Sequence, residues 1–179
     1  MSIAVIGPEG AGKTEYCERF GKKILHAVPR TAKLQFPKNK AGRVVHEFII
    51  AIEKLTVNLK VKFIKHDNIM LDNCFIDSEV YGHLWSIKTG SSLPLIIARF
   101  GNTGAYKPET IHQLIVEPSK AKSEFQRSED DIDLLNSIYI FTLKRHGYKQ
   151  YNERQYERGV MIVWKKDSNS LSTVERRKT

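Results

Sequence analysis

Eight consecutive residues, Gly7-Pro8-Glu9-Gly10-Ala11-Gly12-Lys13-Thr14, fit the phosphate-binding pattern G-x-x-x-x-G-K-[ST]. The chemistry follows from the residue types. Gly7, Gly10 and Gly12 carry no Cβ, so the chain can curl closely around an anion with its N–H groups converging on phosphate oxygens. Lys13 adds a mobile positive charge and Thr14 a hydroxyl for Mg²⁺, with Glu9 and Ala11 completing the nucleotide-binding set. Such a loop works only where a strand delivers it and a helix opens behind it. The flanks satisfy both conditions: the apolar run Ser2–Ile6 precedes it, and Glu15–Phe20 reads as a helix. The flanks weigh against a chance match in a surface loop, and the motif implies a nucleoside triphosphate as ligand.

The elements that must position this loop alternate. Strands are expected at Ser2–Ile6, Ile24–Val28, Asn68–Asp72, His112–Val116 and Val160–Trp164, each a short apolar run ended by polar or turn residues. A long amphipathic helix carries Val45, Phe48, Ile49, Ile52, Leu55 and Leu59 at helical spacing. A second carries Leu134, Ile138, Phe141 and Arg145, widened by Ile132, Leu135 and Tyr139, with Gly147 as its stop. Strands separated by helices imply a parallel sheet covered on both sides, with ligands beyond the carboxyl ends of the strands.

Length and charge bound the rest. A chain of 179 residues fits a single domain, here 1–166, followed by a basic, flexible tail at 167–179. No apolar run approaches the roughly 20 residues needed to span a bilayer, and no secretory leader opens the chain, so a cytoplasmic location without membrane contact is expected. Cys17 and Cys74 are far apart and read as buried thiols. The net charge is +9, and residues 19–65 hold twelve Lys and Arg against only Glu47 and Glu53. That segment fits a polyanionic nucleotide, a nucleic-acid face, or simply a solvated lysine-rich surface, the last suiting most of its residues. The six histidines show no metal-ligand spacing.

The segment Ile69-Met70-Leu71-Asp72-Asn73-Cys74-Phe75-Ile76-Asp77-Ser78-Glu79-Val80-Tyr81-Gly82 resembles the thymidylate kinase and deoxynucleoside kinase superfamily. In that superfamily the third strand ends in Asp or Glu followed by Arg, then a Ser and an aromatic residue on the next helix. Asp72 falls on the acid and Tyr81 on the aromatic position. Glu9 matches the acidic third loop residue frequent in thymidylate kinases. Pro118, then Arg127-Ser128-Glu129-Asp130-Asp131, then a helix with Tyr139, is similar to their lid. The likeness spans about residues 2–164. It implies a three-layer α/β P-loop kinase fold, with a parallel five-stranded sheet, helices on both faces and a short lid at about 118–131. Three positions depart from the pattern. Asn73 replaces the arginine that grips the acceptor, and Asp77 stands where serine is common. Val28-Pro29-Arg30 lacks the glutamate that serves as base in many deoxynucleoside kinases. The last absence favours a phosphate acceptor, which needs no strong base.

The roles that follow are Lys13 on the β- and γ-phosphates, Thr14 on Mg²⁺, and Asp72 orienting the metal's water shell. The resemblance puts Glu9 against the acceptor sugar; Arg30 could contact its phosphate, and Tyr81 its base. Arg127 would close over the phosphates, with Lys120 and Lys122 weaker candidates. Each has a plainer alternative: Asp72 as a helix cap, Glu9 and Arg30 as surface charges, Tyr81 as core, Arg127 as partner of Asp130 and Asp131. Phe36, Phe63 and Phe100 are candidates for a base pocket. The leading expectation is a nucleoside monophosphate kinase that moves the γ-phosphoryl of ATP, with Mg²⁺, to a deoxynucleoside 5′-monophosphate of the dTMP kind. A deoxynucleoside kinase of the same fold comes second, and a nucleic-acid-associated P-loop NTPase third. Nucleotides are thus the expected partners, nucleic acid a lesser one, and a homodimer is compatible with the family's habit.

Overall fold

The computed structural model describes residues 3–20, 23–26, 40–63, 69–117 and 129–167. Arg30, Phe36, Pro118, Lys120, Lys122, Arg127, most of the expected lid and the tail beyond 167 lie outside them.

Four short apolar runs form parallel strands: β1 (Ile3–Ile6), β2 (Lys23–His26), β3 (Ile69–Asp72) and β4 (Thr110–Val116). Strands buried on both faces need no polar alternation, which is why these segments read as continuous apolar stretches. The strands nonetheless divide by parity. Ala4, Ile6, Leu71 and Ile111 join one core. Val5, Met70 and Leu114 join the other. The helix α1 (Lys13–Arg19) covers the second core with Cys17 and Tyr16. The first is covered by α2 (Lys40–Phe63), α3 (Phe75–Thr89) and α5 (Glu129–Arg145). The outer helix α4 (Leu93–Gly101) lies on α2 and α3.

The expected three-layer α/β architecture is present, while the sheet is mixed. The order is β2-β3-β1-β4-β6-β5. The expected fifth strand is β6 (Gly159–Lys166), and it runs antiparallel to β4. It is reached through a sixth strand, β5 (Tyr148–Tyr156), antiparallel to it in turn. A short turn joins β5 to β6, so a hairpin takes the place of a crossover helix and antiparallel pairing follows. β5 is an edge strand whose residues between Tyr148 and Tyr156 are exposed. It presents no apolar face that a sequence pattern could reveal.

Both long helices sit differently from the expected stripes. In α2, Val45, Phe48, Ile52 and Leu59 are each at least half exposed, and Phe63 is 82% exposed. Ala51 and Val61 are buried instead. α4 approaches so closely that a Cβ on Gly101 would lie 2.9 Å from the Ala51 Cα, and Asn58 Nδ2 donates to the Gly101 carbonyl at 3.0 Å. Small residues at the crossing therefore choose the buried face, leaving Phe48 to stack on Phe100 with ring centroids 6.3 Å apart. In α5 the core residues are Ile132, Leu135, Ile138, Tyr139 and Leu143, while Phe141 is exposed and meets His83 edge-on. Gly147 does follow the helix end, its N–H donating to the Lys144 carbonyl at 3.0 Å. Among the described residues no helix is long and apolar enough to cross a membrane.

Gly82 tests this packing. A Cβ there would lie 2.8 Å from the Ala98 Cβ and 3.2 Å from the Pro94 carbonyl. Gly82→Ala should therefore destabilise the protein by about 1–3 kcal/mol despite alanine's better helix propensity. Urea unfolding should show that loss, and Ala98→Gly in the same chain should recover part of it; a stabilised Gly82→Ala would contradict the close α3–α4 contact.

Candidate functional site

β1 ends at Ile6 and the chain enters a loop that closes on itself: the Ala11 N–H donates to Pro8 O at 3.2 Å, and Tyr16 N–H to Gly12 O at 2.9 Å. Two glycines are required sterically. Gly7 has φ 151° and a Cβ on it would sit 2.6 Å from the Leu114 carbonyl, while Gly12, at φ 79°, starts α1 in the left-handed region. Lys13 reaches back across the loop, its Nζ donating to Gly7 O at 2.8 Å and Pro8 O at 2.9 Å. Glu9 lies in the same loop, partly exposed.

Parallel pairing brings the second half of the site alongside. Ile3–Val5 align with Met70–Asp72, so β3 ends level with the start of the loop. The Thr14 hydroxyl then donates to Asp72 Oδ2 at 2.9 Å, across 58 residues of sequence. Asp72 is 4% exposed. Its Oδ1 accepts from Asn73 Nδ2 at 3.2 Å. Asn73 is the one non-glycine described residue with positive φ, at 69°, and its N–H donates to Val5 O at 2.9 Å. Asparagine tolerates that conformation better than long side chains do, which gives its presence here a backbone reason.

Beneath the loop lies a buried acid. Cys74 caps α3, and Asp77 Oδ2 accepts the Cys74 N–H at 2.8 Å. Asp77 Oδ1 lies 2.8 Å from the Tyr139 hydroxyl, which lies 2.9 Å from Gly7 O. One phenolic proton cannot serve both acceptors, and a carbonyl can only accept. Burial raises the pKa of Asp77 above the usual carboxylate range despite the opposing charge of Lys13. The consistent arrangement has Asp77 protonated and donating to Tyr139, and Tyr139 donating to Gly7. Both cysteines are free and buried; burial pushes the Cys17 thiol up to about 12, so it stays protonated and unreactive.

Of the expected site residues, the structure brings Gly7, Glu9, Gly10, Ala11, Gly12, Lys13, Thr14 and Asp72 to one end of the sheet. Tyr81 is partly buried and packs against the core formed by α3 and α5. Phe63 stands out on α2 and Phe100 on its Phe48 stack. The oxygen pair of Thr14 and Asp72 suits a hard cation that takes most of its remaining ligands from water and phosphate, as Mg²⁺ does. Among the described residues no cluster of three or more His, Cys, Asp or Glu offers an all-protein metal cage.

Sequence reading missed Arg158. The β5–β6 turn lies at the carboxyl end of β4, held there by the Glu117 N–H on Arg158 O at 3.1 Å. From that turn Arg158, 9% exposed, extends to the phosphate loop. Its Nη1 donates to Gly10 O at 3.0 Å and its Nη2 to Glu15 Oε2 at 2.6 Å. Glu157-Arg158-Gly159 belongs to no motif, and only the antiparallel hairpin brings it to the loop.

No known family profile and no curated protein matches the sequence significantly. Solved structures do match it in shape. Thymidylate kinase from Candida albicans superposes with a TM-score of 0.54 at 10% identity, over 78% of this chain and 76% of that one. Deoxyadenosine kinase from M. mycoides, solved with bound dCTP, gives 0.52 at 18% identity, over 82% and 85%. The chain has a P-loop nucleoside monophosphate and deoxynucleoside kinase-like fold. In this chain the fold carries an antiparallel β5–β6 hairpin, which supplies the arginine that faces its phosphate loop.

The buried acid makes a pH prediction. A carboxyl whose folded pKa lies above its unfolded value near 3.8 contributes stability fully present below that value and lost as pH rises through the folded one. Asp77→Asn mimics the protonated acid throughout. The wild type should therefore lose stability relative to this variant as pH rises above the unfolded value near 3.8 in urea titrations. A pH-independent difference would contradict a protonated Asp77.

Proposed function

We propose that this protein is a nucleotide kinase that transfers the γ-phosphoryl of ATP to a deoxynucleoside 5′-monophosphate of the dTMP kind. The observation that carries the reading is the Thr14–Asp72 hydrogen bond, which joins the phosphate loop to an acidic strand end at 2.9 Å. Of the two structural relatives, the thymidylate kinase supports a monophosphate acceptor, and the deoxyadenosine kinase keeps a nucleoside acceptor as the second reading.

Phosphoryl transfer chiefly requires in-line placement and neutralisation of charge on the migrating group. The loop amides would cradle the donor phosphates. Lys13, now on the carbonyls of Gly7 and Pro8, would turn its ammonium to the β- and γ-phosphates. Thr14 would hold Mg²⁺, with Asp72 orienting its water shell, and the cation would supply neutralisation of phosphate charge. Arg158 sits beside Gly10 and the first turn of α1 and would add a second fixed positive charge on the donor side. Glu9 would meet the acceptor sugar, Tyr81 its base and Arg30 its phosphate. Arg127 would close from the lid segment and exclude water.

The test is ADP release across a panel of deoxynucleoside monophosphates and nucleosides. A monophosphate should stimulate turnover, and Lys13→Ala should lower kcat/KM at least about a hundredfold. Arg158→Ala should weaken ADP binding about tenfold, the worth of a charge-assisted hydrogen bond. Turnover stimulated by nucleosides alone would replace the acceptor class. Turnover stimulated only by oligonucleotides would overturn the kinase reading.

A further inference from the structure

A second charged cluster lies away from the phosphate loop, between α3, α4 and the carboxyl end of α5. Its centre is Glu79, 2% exposed. Oε1 of Glu79 accepts from Arg99 Nε at 3.0 Å and is also paired with Arg145; Oε2 meets His146 Nε2 at 2.5 Å. Burial and the cations Arg145, Lys107 and Arg99 lower the His146 pKa to about 4, so the neutral ring donates to the carboxylate. These groups open onto a cavity of about 390 Å³ lined also by Phe75, Asn102 and Lys107.

The cavity has three unmet requirements. Two guanidinium groups share one carboxylate, and Lys107 has no carboxylate partner among the described residues, so the wall carries two uncompensated positive charges. Asn102 gives its amide N–H to Phe75 O at 2.8 Å, but its Oδ1 is buried without a donor. The volume exceeds what a single water or inorganic ion fills. A fully matched ion-pair staple would leave none of these. One ligand class meets all three: a compact organic anion that also carries a hydroxyl or amine donor.

We infer that this cavity is an anion-binding site, separate from the phosphate loop, that takes a small hydroxylated phosphate or carboxylate. Arg99, Arg145 and Lys107 face its charged group, Asn102 Oδ1 accepts its donor, and Phe75 walls its carbon frame. Guanidinium groups suit planar, bidentate recognition of such anions, while Lys107 acts as a point charge. The site does not depend on the kinase reading, since none of its residues belongs to that machinery.

The experiment uses the full chain with Lys13→Ala, which weakens anion capture at the phosphate loop. Glycerol 3-phosphate and inorganic phosphate are titrated by calorimetry and thermal shift at constant ionic strength set with chloride. Lys13→Ala should bind glycerol 3-phosphate saturably and more tightly than inorganic phosphate. Adding Lys107→Glu should weaken that binding at least tenfold, and Lys107→Met by a smaller factor. Lys107 is exposed and outside the Glu79 network, so both variants should keep the parent's melting temperature without ligand. Absence of saturable binding in Lys13→Ala, or equal affinity with and without Lys107→Glu, would overturn the site.

Discussion

The Thr14–Asp72 hydrogen bond ties together two pieces of chain that have no local reason to meet, and the site depends on it. A hydroxyl at the start of α1 and a carboxylate at the end of β3 can be 2.9 Å apart only if β1 and β3 are adjacent, parallel and in the observed register. Asn73 makes the register tolerable. By turning into the left-handed region just past Asp72, it places its N–H on Val5 O and its side chain on the second carboxylate oxygen. Both oxygens of a nearly buried acid are thereby held by short neutral donors, and the acid keeps its direction toward the loop.

Behind the loop, a buried acid and a nearly buried guanidinium shape the charge around it. Asp77 faces Lys13 from the buried side, yet burial favours its neutral form, so it holds α3 and Tyr139 in place without cancelling the lysine. Arg158 enters from the opposite strand pair and shares a mostly exposed glutamate, Glu15. A nearly buried guanidinium held by one backbone carbonyl and one solvent-facing acid is positioned by the fold and weakly neutralised. The same logic recurs at Glu79, where the cations outnumber the acid.

Much of this was legible in the sequence where chemistry dictates residue type locally. The loop glycines, Lys13 and Thr14 are fixed by backbone curvature and phosphate charge, so they form a contiguous motif. Asp72 could be found because a strand end precedes it. What the sequence hides depends on long-range choices. The face α2 buries is set by Ala51 against Gly101, residues with almost no hydrophobic signal, so the conspicuous stripe from Val45 to Leu59 misleads. β5 is a polar edge strand stabilised by pairing with β6, and no periodicity marks it. Arg158 follows from that missed hairpin. Tyr139 is visible only as one apolar helix position until the fold brings its hydroxyl to Gly7.

The central claim is that Thr14 and Asp72 act as one cation-holding unit. A double-mutant cycle on Mg²⁺-dependent ADP affinity, with Thr14→Ala, Asp72→Asn and the pair, measures this directly. The account predicts that each single change removes most of the Mg²⁺ enhancement and that the pair costs little more than either alone. Fully additive losses, or an Mg²⁺ enhancement that survives the double change, would contradict it.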